Sequence, residues 1–289
     1  MSSQPKRKVI KTVAGRVEDK VAFITGAARG QGRAHAVRLA EEGADIIAFD
    51  ACAPIETVDY AASTPSDLAE TVRSVEALGR KIVPVQGDVR NFEQVRQGVE
   101  EGVAALGRLD VVVANAGILT MAPAHEWTEI QWQTMIDVNL TGVWHTAKAT
   151  IPTLIEQGEG GSIIATSSTM GLKAAAGAIG YVAAKFGVTG IVKNLAHELG
   201  PHRIRVNSLH PTNVATEMLD NAMVRKAFRP DLENPTFEDA VNSYSVVNIW
   251  DMPWVETIDV ANALLWLASD EARYVTGAAL PVDLGASAK

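Results

Sequence analysis

The sequence predicts an α/β fold, a single doubly wound domain with a seven-stranded parallel sheet flanked by helices. Two observations predict it. Short β-branched apolar runs alternate with longer stretches of helical periodicity, which is the pattern of βαβ units. A glycine-rich turn, Thr25-Gly26-Ala27-Ala28-Arg29-Gly30-Gln31-Gly32, directly follows the first of these runs and opens a helical pattern.

The apolar runs place strands at 21–25, 45–50, 81–85, 109–114, 162–166, 204–209 and 279–282. Helix starts are marked by Thr64 with Asp67, Asn91 with Gln94 and Thr128 with Gln131, each pairing a cap with a side chain three residues on. Gly79 and Gly107 follow Leu78 and Leu106, where a helix ends by turning left-handed. Two segments break the alternation, residues 51–63 after the second strand and 211–256 before the last helix. Long connections in a compact domain serve as lids or binding loops, so 211–256 is assigned as the substrate loop.

With 289 residues, 47% hydrophobic and 21% charged, the chain can bury one substantial core. Residues 17–289 are expected to form one domain, preceded by a basic arm at 1–16 that carries Lys6, Arg7, Lys8 and Lys11. The net charge of −8 argues against phosphate neutralisation, so no nucleic-acid partner is expected. No apolar run reaches the roughly 18 to 20 residues of a membrane span, and the N-terminus lacks a secretory signal pattern, which makes the cytoplasm the expected location. The single cysteine, Cys52, suits a reducing compartment and reads as a packing residue. Six histidines lack metal-ligand spacing, so no metal is expected; His35, His145 and His197 fall in helical segments as satisfied or surface side chains.

The glycine turn is the place where a parallel sheet holds a pyrophosphate, because glycines allow close backbone approach and a helix N-terminus presents free amides. Asp50, 20 residues past Gly30, ends the second strand where a carboxylate accepts from the adenosine ribose hydroxyls. Its charge repels a 2′-phosphate, so NAD is favoured over NADP, although Arg29 within the turn pulls mildly the other way. Asp50 also reads as an ordinary strand-end cap. Asp88 and Val89 read either as a turn or as a surface for adenine. Asn115-Ala116-Gly117 follows the fourth strand, beside the first strand, at the switch point where open sheets bind ligands. Together these features make the domain Rossmann-type.

Tyr181 and Lys185 are four residues apart, one face of a helix, where a cation favours phenolate and moves the tyrosine pKa down from about 10 toward a useful range. Ser168, thirteen residues before Tyr181 and just past the fifth strand, is placed either to hold a substrate oxygen or to cap a turn. Asn139 is a polar residue inside a helical apolar pattern, either a satisfied core amide or the holder of a relay water against Lys185. Met121, Met170, Leu172, Met218, Trp250 and Trp254 lie on candidate pocket loops and point to an apolar substrate.

In order and spacing, these motifs resemble the short-chain dehydrogenase/reductase family from Gly15 onward. The resemblance implies hydride transfer between a secondary alcohol or ketone and NAD, with Tyr181 as general acid-base, Lys185 on the nicotinamide ribose, Ser168 orienting the substrate and Asn139 in the proton relay. It implies a cofactor-binding set of Gly26, Arg29, Gly30, Gln31, Gly32, Asp50, Asp88, Val89, Asn115, Ala116, Gly117, Tyr181, Lys185, Val214 and Thr216, and a homotetramer.

The insert at 51–63, the stretch His210-Pro211-Thr212-Asn213-Val214-Ala215-Thr216 and the segment from Arg273 to Asp283 are similar to the mycofactocin-associated subgroup that includes carveol dehydrogenases. That similarity implies an alicyclic or terpenoid substrate such as carveol, and NAD held tightly and reoxidised by mycofactocin. Thr212 departs from the family, which often has glycine there. The alternatives are an NADPH-dependent carbonyl reductase on the same residues, or a catalytically silent dinucleotide-sensing protein. The intact serine, tyrosine and lysine weigh against the second.

Overall fold

The apolar runs pair into one parallel sheet with the strand order β3-β2-β1-β4-β5-β6-β7. The computed structural model describes residues 15–289, so Lys6, Arg7, Lys8 and Lys11 lie outside the described residues. From Gly15 the chain is already anchored, since the amides of Gly15 and Arg16 donate to the Glu42 carboxylate at 3.0 and 3.2 Å.

The elements run β1 (Val21–Thr25), α1 (Gly30–Glu41), β2 (Asp45–Asp50), α2 (Pro65–Glu76), β3 (Ile82–Gln86), α3 (Phe92–Leu106), β4 (Val111–Ala114) and α4 (Glu129–Ile136). They continue with α5 (Gly142–Gln157), β5 (Gly161–Thr166), α6 (Ile179–Leu199), β6 (Ile204–Pro211), α7 (Ala222–Phe228), α8 (Phe237–Val241), α9 (Thr257–Ala268) and β7 (Ala279–Val282). All seven expected strands are present. The fourth starts at Val111 rather than 109, because the backbone of Leu109 is bonded on both sides by the Gln157 side chain instead of a neighbouring strand. The sixth runs on to Pro211 because β7 pairs with His210 and Pro211.

Side-chain alternation builds the three layers. Ala22, Ile24, Ile46 and Ala48 pack on the side of α1 and α9, whereas Val21, Phe23, Ile47 and Phe49 pack on the side of α3, α5 and α6. On that second face α3 sits unusually close to the sheet. A Cβ at Gly102 would lie 2.5 Å from Ile47, and one at Gly98 would lie 2.9 Å from Phe49.

The expected caps form. Thr64 and Thr128 make reciprocal capping boxes with Asp67 and Gln131, Asn91 accepts from the amides of Glu93 and Gln94, and Gly107 closes α3 in the left-handed region. His145 and His197 are satisfied and exposed as expected, the first through Val89. His35 is not: it is wholly buried in α1 and neither ring nitrogen has a partner among the described residues. Burial pushes its pKa down to about 3, so the ring stays neutral and packs as an apolar group.

Substituting Gly102→Ala forces a methyl into Ile47 and is expected to destabilise the fold by about 1–3 kcal/mol. Thermal unfolding checks this, and an unchanged melting temperature would mean that α3 can shift outward freely.

Candidate active site

The site lies where the C-terminal ends of the strands meet, at the reversal of strand order between β1 and β4. Asn115 ties three strand ends together there. Its side-chain nitrogen donates to the Thr25 carbonyl at 3.1 Å, and its side-chain oxygen accepts from Thr166 at 3.2 Å. The Thr25 hydroxyl accepts from the amides of Asn115 and Ala116 at 3.0 and 3.1 Å. The glycine turn is pressed against this junction. Gly26 has φ +67°, and a Cβ on it would lie 2.9 Å from Cα of Ala116; one on Gly32 would lie 1.9 Å from the Gly26 carbonyl oxygen.

A groove of about 200 Å³ runs over the turn, lined by Gly26, Arg29, Gly30, Gln31, Gly32, Asp50, Asp88, Val89, Asn115, Ala116, Gly117 and Thr216. An adjoining cavity of about 370 Å³ is lined by Asn139, Ser168, Tyr181, Lys185 and Val214. Every site residue expected from the sequence therefore borders one of two connected spaces. The side-chain oxygen of Gln31 is buried in this region without a hydrogen-bond partner among the described residues, a vacancy that suits a polar ligand in the groove. Among the described residues there is no cluster of metal-ligating side chains.

At the far end of the groove the buried Asp50 carboxylate accepts from the amides of Ala28 and Cys52 at 2.9 and 3.0 Å, and from the Ser63 hydroxyl at 2.6 Å. The residue is thus both cap and groove wall, and it sets an acidic side chain at the end of β2. The Cys52 thiol beside it is pushed up to about 12 by burial first and by Asp50 second, which fits its reading as an inert packing group. Asp88 holds its own turn, accepting from the Arg90 amide and guanidinium. Arg29 does not point free into the groove, because its guanidinium donates to the Ala61 carbonyl and lies 4.0 Å from Glu217.

The insert at 51–63 reaches further than the sequence alone implies. Besides Ala61 and Ser63 at the Asp50 end, it is bonded at the opposite end, where the Leu119 amide donates to the Tyr60 hydroxyl at 3.2 Å and Thr120 donates to the Thr57 carbonyl at 3.0 Å. The segment crosses the groove as a strap from β2 to the loop after β4. Tyr60 had no motif to mark it; only the strap's path brings it to the site.

At the other end, α6 carries Tyr181 and Lys185 on one buried face. The Lys185 ammonium donates to the Thr166 carbonyl at 2.8 Å and lies 5.4 Å from the centre of the Tyr181 ring. The expectation that this cation lowers the phenol's pKa is not met. Burial pushes Tyr181 up to about 12, with the bond to Ser168 opposing it and Tyr60 adding to it. Lys185 itself is pushed down to about 8 by burial. Desolvation outweighs the charge because the ammonium is spent on a backbone carbonyl and is itself costly to keep ionised.

Asn139 sits in a widened π turn at Asp137–Thr141 between α4 and α5. Its side chain is fully committed, accepting from the Ile118 amide at 3.1 Å and donating to the carbonyls of Ile118 and Met135, both at 3.1 Å. Gly117 fits between this group and Lys185, since a Cβ there would lie 2.9 Å from the Asn139 oxygen and 3.7 Å from the ammonium.

The walls above Ser168 and Tyr181 are apolar. Met121, Met170 and Met218 line the cavity as expected, joined by Leu119, Leu219, Val224, Phe228 and Val247, which the sequence did not single out. Leu172, Trp250 and Trp254 do not line it. Leu172 and Trp250 face outward, and Trp254 packs on Phe237 and Tyr244 in a small separate core under the loop. That core exists because the loop contains α7 and α8, whose start signals were present in the sequence as Asn221 and the Thr236–Asp239 capping box. Thr212, the departure from glycine, uses its hydroxyl to bond Asn248 at 2.7 Å and so ties the two ends of the loop together.

Residues 20–226 match the model of the short chain dehydrogenase family. The chain belongs to that family. It is 51% identical to (-)-trans-carveol dehydrogenase of Rhodococcus erythropolis, over 95% of this chain and 99% of that protein. It is 37% identical to trans-4-hydroxycyclohexanecarboxylate dehydrogenase of Sinomonas cyclohexanicum, over 96% of each. The crystal structure of carveol dehydrogenase from Mycobacterium avium in complex with NAD superposes with a TM-score of 0.93 at 55% identity, covering 95% of this chain and 100% of that one.

The balance at Tyr181 can be read directly in this dehydrogenase. Ultraviolet titration of the ligand-free protein, subtracting the Tyr181→Phe variant, is expected to give ionisation near 12. A value at or below about 10 would mean that Lys185 wins over burial.

Proposed function

We propose that this dehydrogenase oxidises an apolar alicyclic or terpenoid secondary alcohol, carveol being the model, with Tyr181 as the acid-base residue. The chain is an NAD-dependent oxidoreductase acting on alcohols and ketones. The observation that carries the finer reading is that Ser168, Tyr181 and Lys185 share the floor of a methionine-walled cavity that adjoins the glycine-turn groove.

NAD fits the groove chemically: the glycines leave room for a backbone-bound pyrophosphate, Gln31 has an unused oxygen, and Asp50 brings a negative charge that disfavours a 2′-phosphate. When bound, NAD supplies the hydride acceptor for oxidation. Gly26, Arg29, Gly30, Gln31 and Gly32 would hold its phosphates and Asp50 its adenosine ribose, with Asp88 and Val89 against the adenine. Asn115, Ala116, Gly117, Val214 and Thr216 would frame the nicotinamide half.

Ser168 orients the substrate hydroxyl, Tyr181 takes its proton, and Lys185 grips the nicotinamide ribose. Asn139 holds the widened turn beside Lys185 and serves the relay that returns the proton to solvent. Because the resting phenol is protonated at neutral pH, oxidation is favoured by alkaline conditions and ketone reduction by acid ones.

The strap, bonded on both sides of the groove, supports tight retention of NAD, with mycofactocin as the redox carrier that reoxidises it in place. Exposed apolar side chains on α4, α5 and α6, among them Trp132, Trp144, Ile155 and Phe186, support assembly into a homotetramer through those helices. The single cysteine supports a cytoplasmic setting, and no helix among the described residues is long and apolar enough to cross a membrane. Residues 17–289 form the proposed domain, with 211–256 as the substrate loop. The NADPH-dependent reductase remains the rival reading, and Asp50 with the engaged Arg29 weighs against it.

Removal of the phenol by Tyr181→Phe is expected to lower kcat for carveol oxidation by at least about a hundredfold while nucleotide binding persists. Hydride transfer as fast as before would overturn the assignment. The retention reading predicts that NAD, rather than NADP, co-purifies with the protein and that turnover is weak until an external electron acceptor is added. Protein that purifies empty and cycles freely on added NAD would refute retention; a preference for NADPH would refute the role of Asp50.

A further inference from the structure

His210 is the next-to-last residue of β6, completely buried beside the catalytic groups but not lining the cavity. One ring nitrogen, Nδ1, lies 2.7 Å from the Ser168 carbonyl oxygen, and the other, Nε2, lies 2.8 Å from the Ser208 hydroxyl. A carbonyl can only accept, so Nδ1 carries the proton and the neutral ring accepts at Nε2 from Ser208. The ring is therefore clamped in one tautomer and one orientation.

We propose that His210 is a positioning residue that aims the Ser168 hydroxyl at the substrate oxygen by pinning the Ser168 peptide. The inference rests on the reading of Ser168 as the substrate-orienting group. On the N-terminal side, residue Ser167 is already fixed, since its amide donates to the Leu209 carbonyl at 2.8 Å and its hydroxyl to the Lys185 carbonyl at 3.0 Å. On the C-terminal side only the Gly171 amide, at 2.9 Å in a single short turn, shares the Ser168 carbonyl with His210. Without the ring, that peptide is held by one bond and its tilt is free to change. The Ser168 hydroxyl itself accepts from the Met170 amide at 3.1 Å and is bonded to the Tyr181 phenol, and neither contact holds the tilt of the following peptide. Burial, and the nearby charge of Lys185, hold the His210 pKa down, which favours the neutral ring with its one proton on Nδ1 and Nε2 left to accept from Ser208.

The test is a double-mutant cycle on the intact protein, with carveol oxidation as readout and nucleotide binding and thermal unfolding as controls. His210→Leu is expected to lower kcat on the order of ten- to a hundredfold, the scale of a misplaced catalytic group. In a Ser168→Ala background the same substitution is expected to cost less than about threefold, because there is no hydroxyl left to aim. His210→Asn, whose amide nitrogen can replace Nδ1, is expected to recover most of kcat; His210→Gln, which reaches the Ser208 side instead, is not. Equal losses with and without the Ser168 hydroxyl, or equal activities of the asparagine and glutamine variants, would overturn the proposal. If His210→Leu does not fold, the asparagine and glutamine pair decides alone. A Ser168→Ala variant as active as the parent would instead remove the underlying reading of Ser168, an outcome distinguishable from failure of the His210 clamp.

Discussion

The hydrogen bonds that Asn115 makes at the ends of β1, β4 and β5 are the constraint on which the site depends. A parallel sheet opens a crevice where its strand order reverses, but the crevice is useful only if its lips are held at fixed separation. One amide does this by bonding to Thr25 and Thr166 at once. The glycine turn leans on the same junction through Gly26, and Lys185 donates to the carbonyl of the same Thr166. The glycine turn and the pair of Tyr181 with Lys185 are thereby referenced to a single point.

Burial decides the resting chemistry at that point. A cation one helical turn from a phenol is the arrangement that favours phenolate in water-exposed helices, yet here both groups are removed from solvent and each is driven toward its neutral form. The resting site therefore stores its proton on the phenol.

Two loops that look alike in sequence do different physical work. The strap at 51–63 has no helix or strand and no core of its own; it is bonded to Asp50 and Arg29 near its two chain ends and to Leu119 and Thr120 through Tyr60 and Thr57, while Ile55 and Val58 pack on the main core. The loop at 211–256 folds upon itself, with α7 and α8 enclosing Tyr244 among Phe228, Phe237 and Trp254. A segment without internal regular structure takes its shape from what it leans on, whereas one with its own core holds a wall in place. The first lines the groove over the glycine turn and the second walls the cavity beside Ser168 and Tyr181.

Local and periodic information was enough for much of this. The seven strands, the caps at Thr64, Asn91 and Thr128, the turn from Thr25 to Gly32 and the pairing of Tyr181 with Lys185 all follow from residue types a few positions apart, because backbone hydrogen bonding and side-chain period act over that range. Tertiary structure alone decided that Tyr60 reaches the site, that Trp250 and Trp254 leave it, that His35 is wholly buried, and that His210 stands against Ser168. Each of those depends on which distant segments meet and how much water they exclude. Pair contacts across the sheet and desolvation are properties of the packed whole, and neither has a signature within a short stretch of chain.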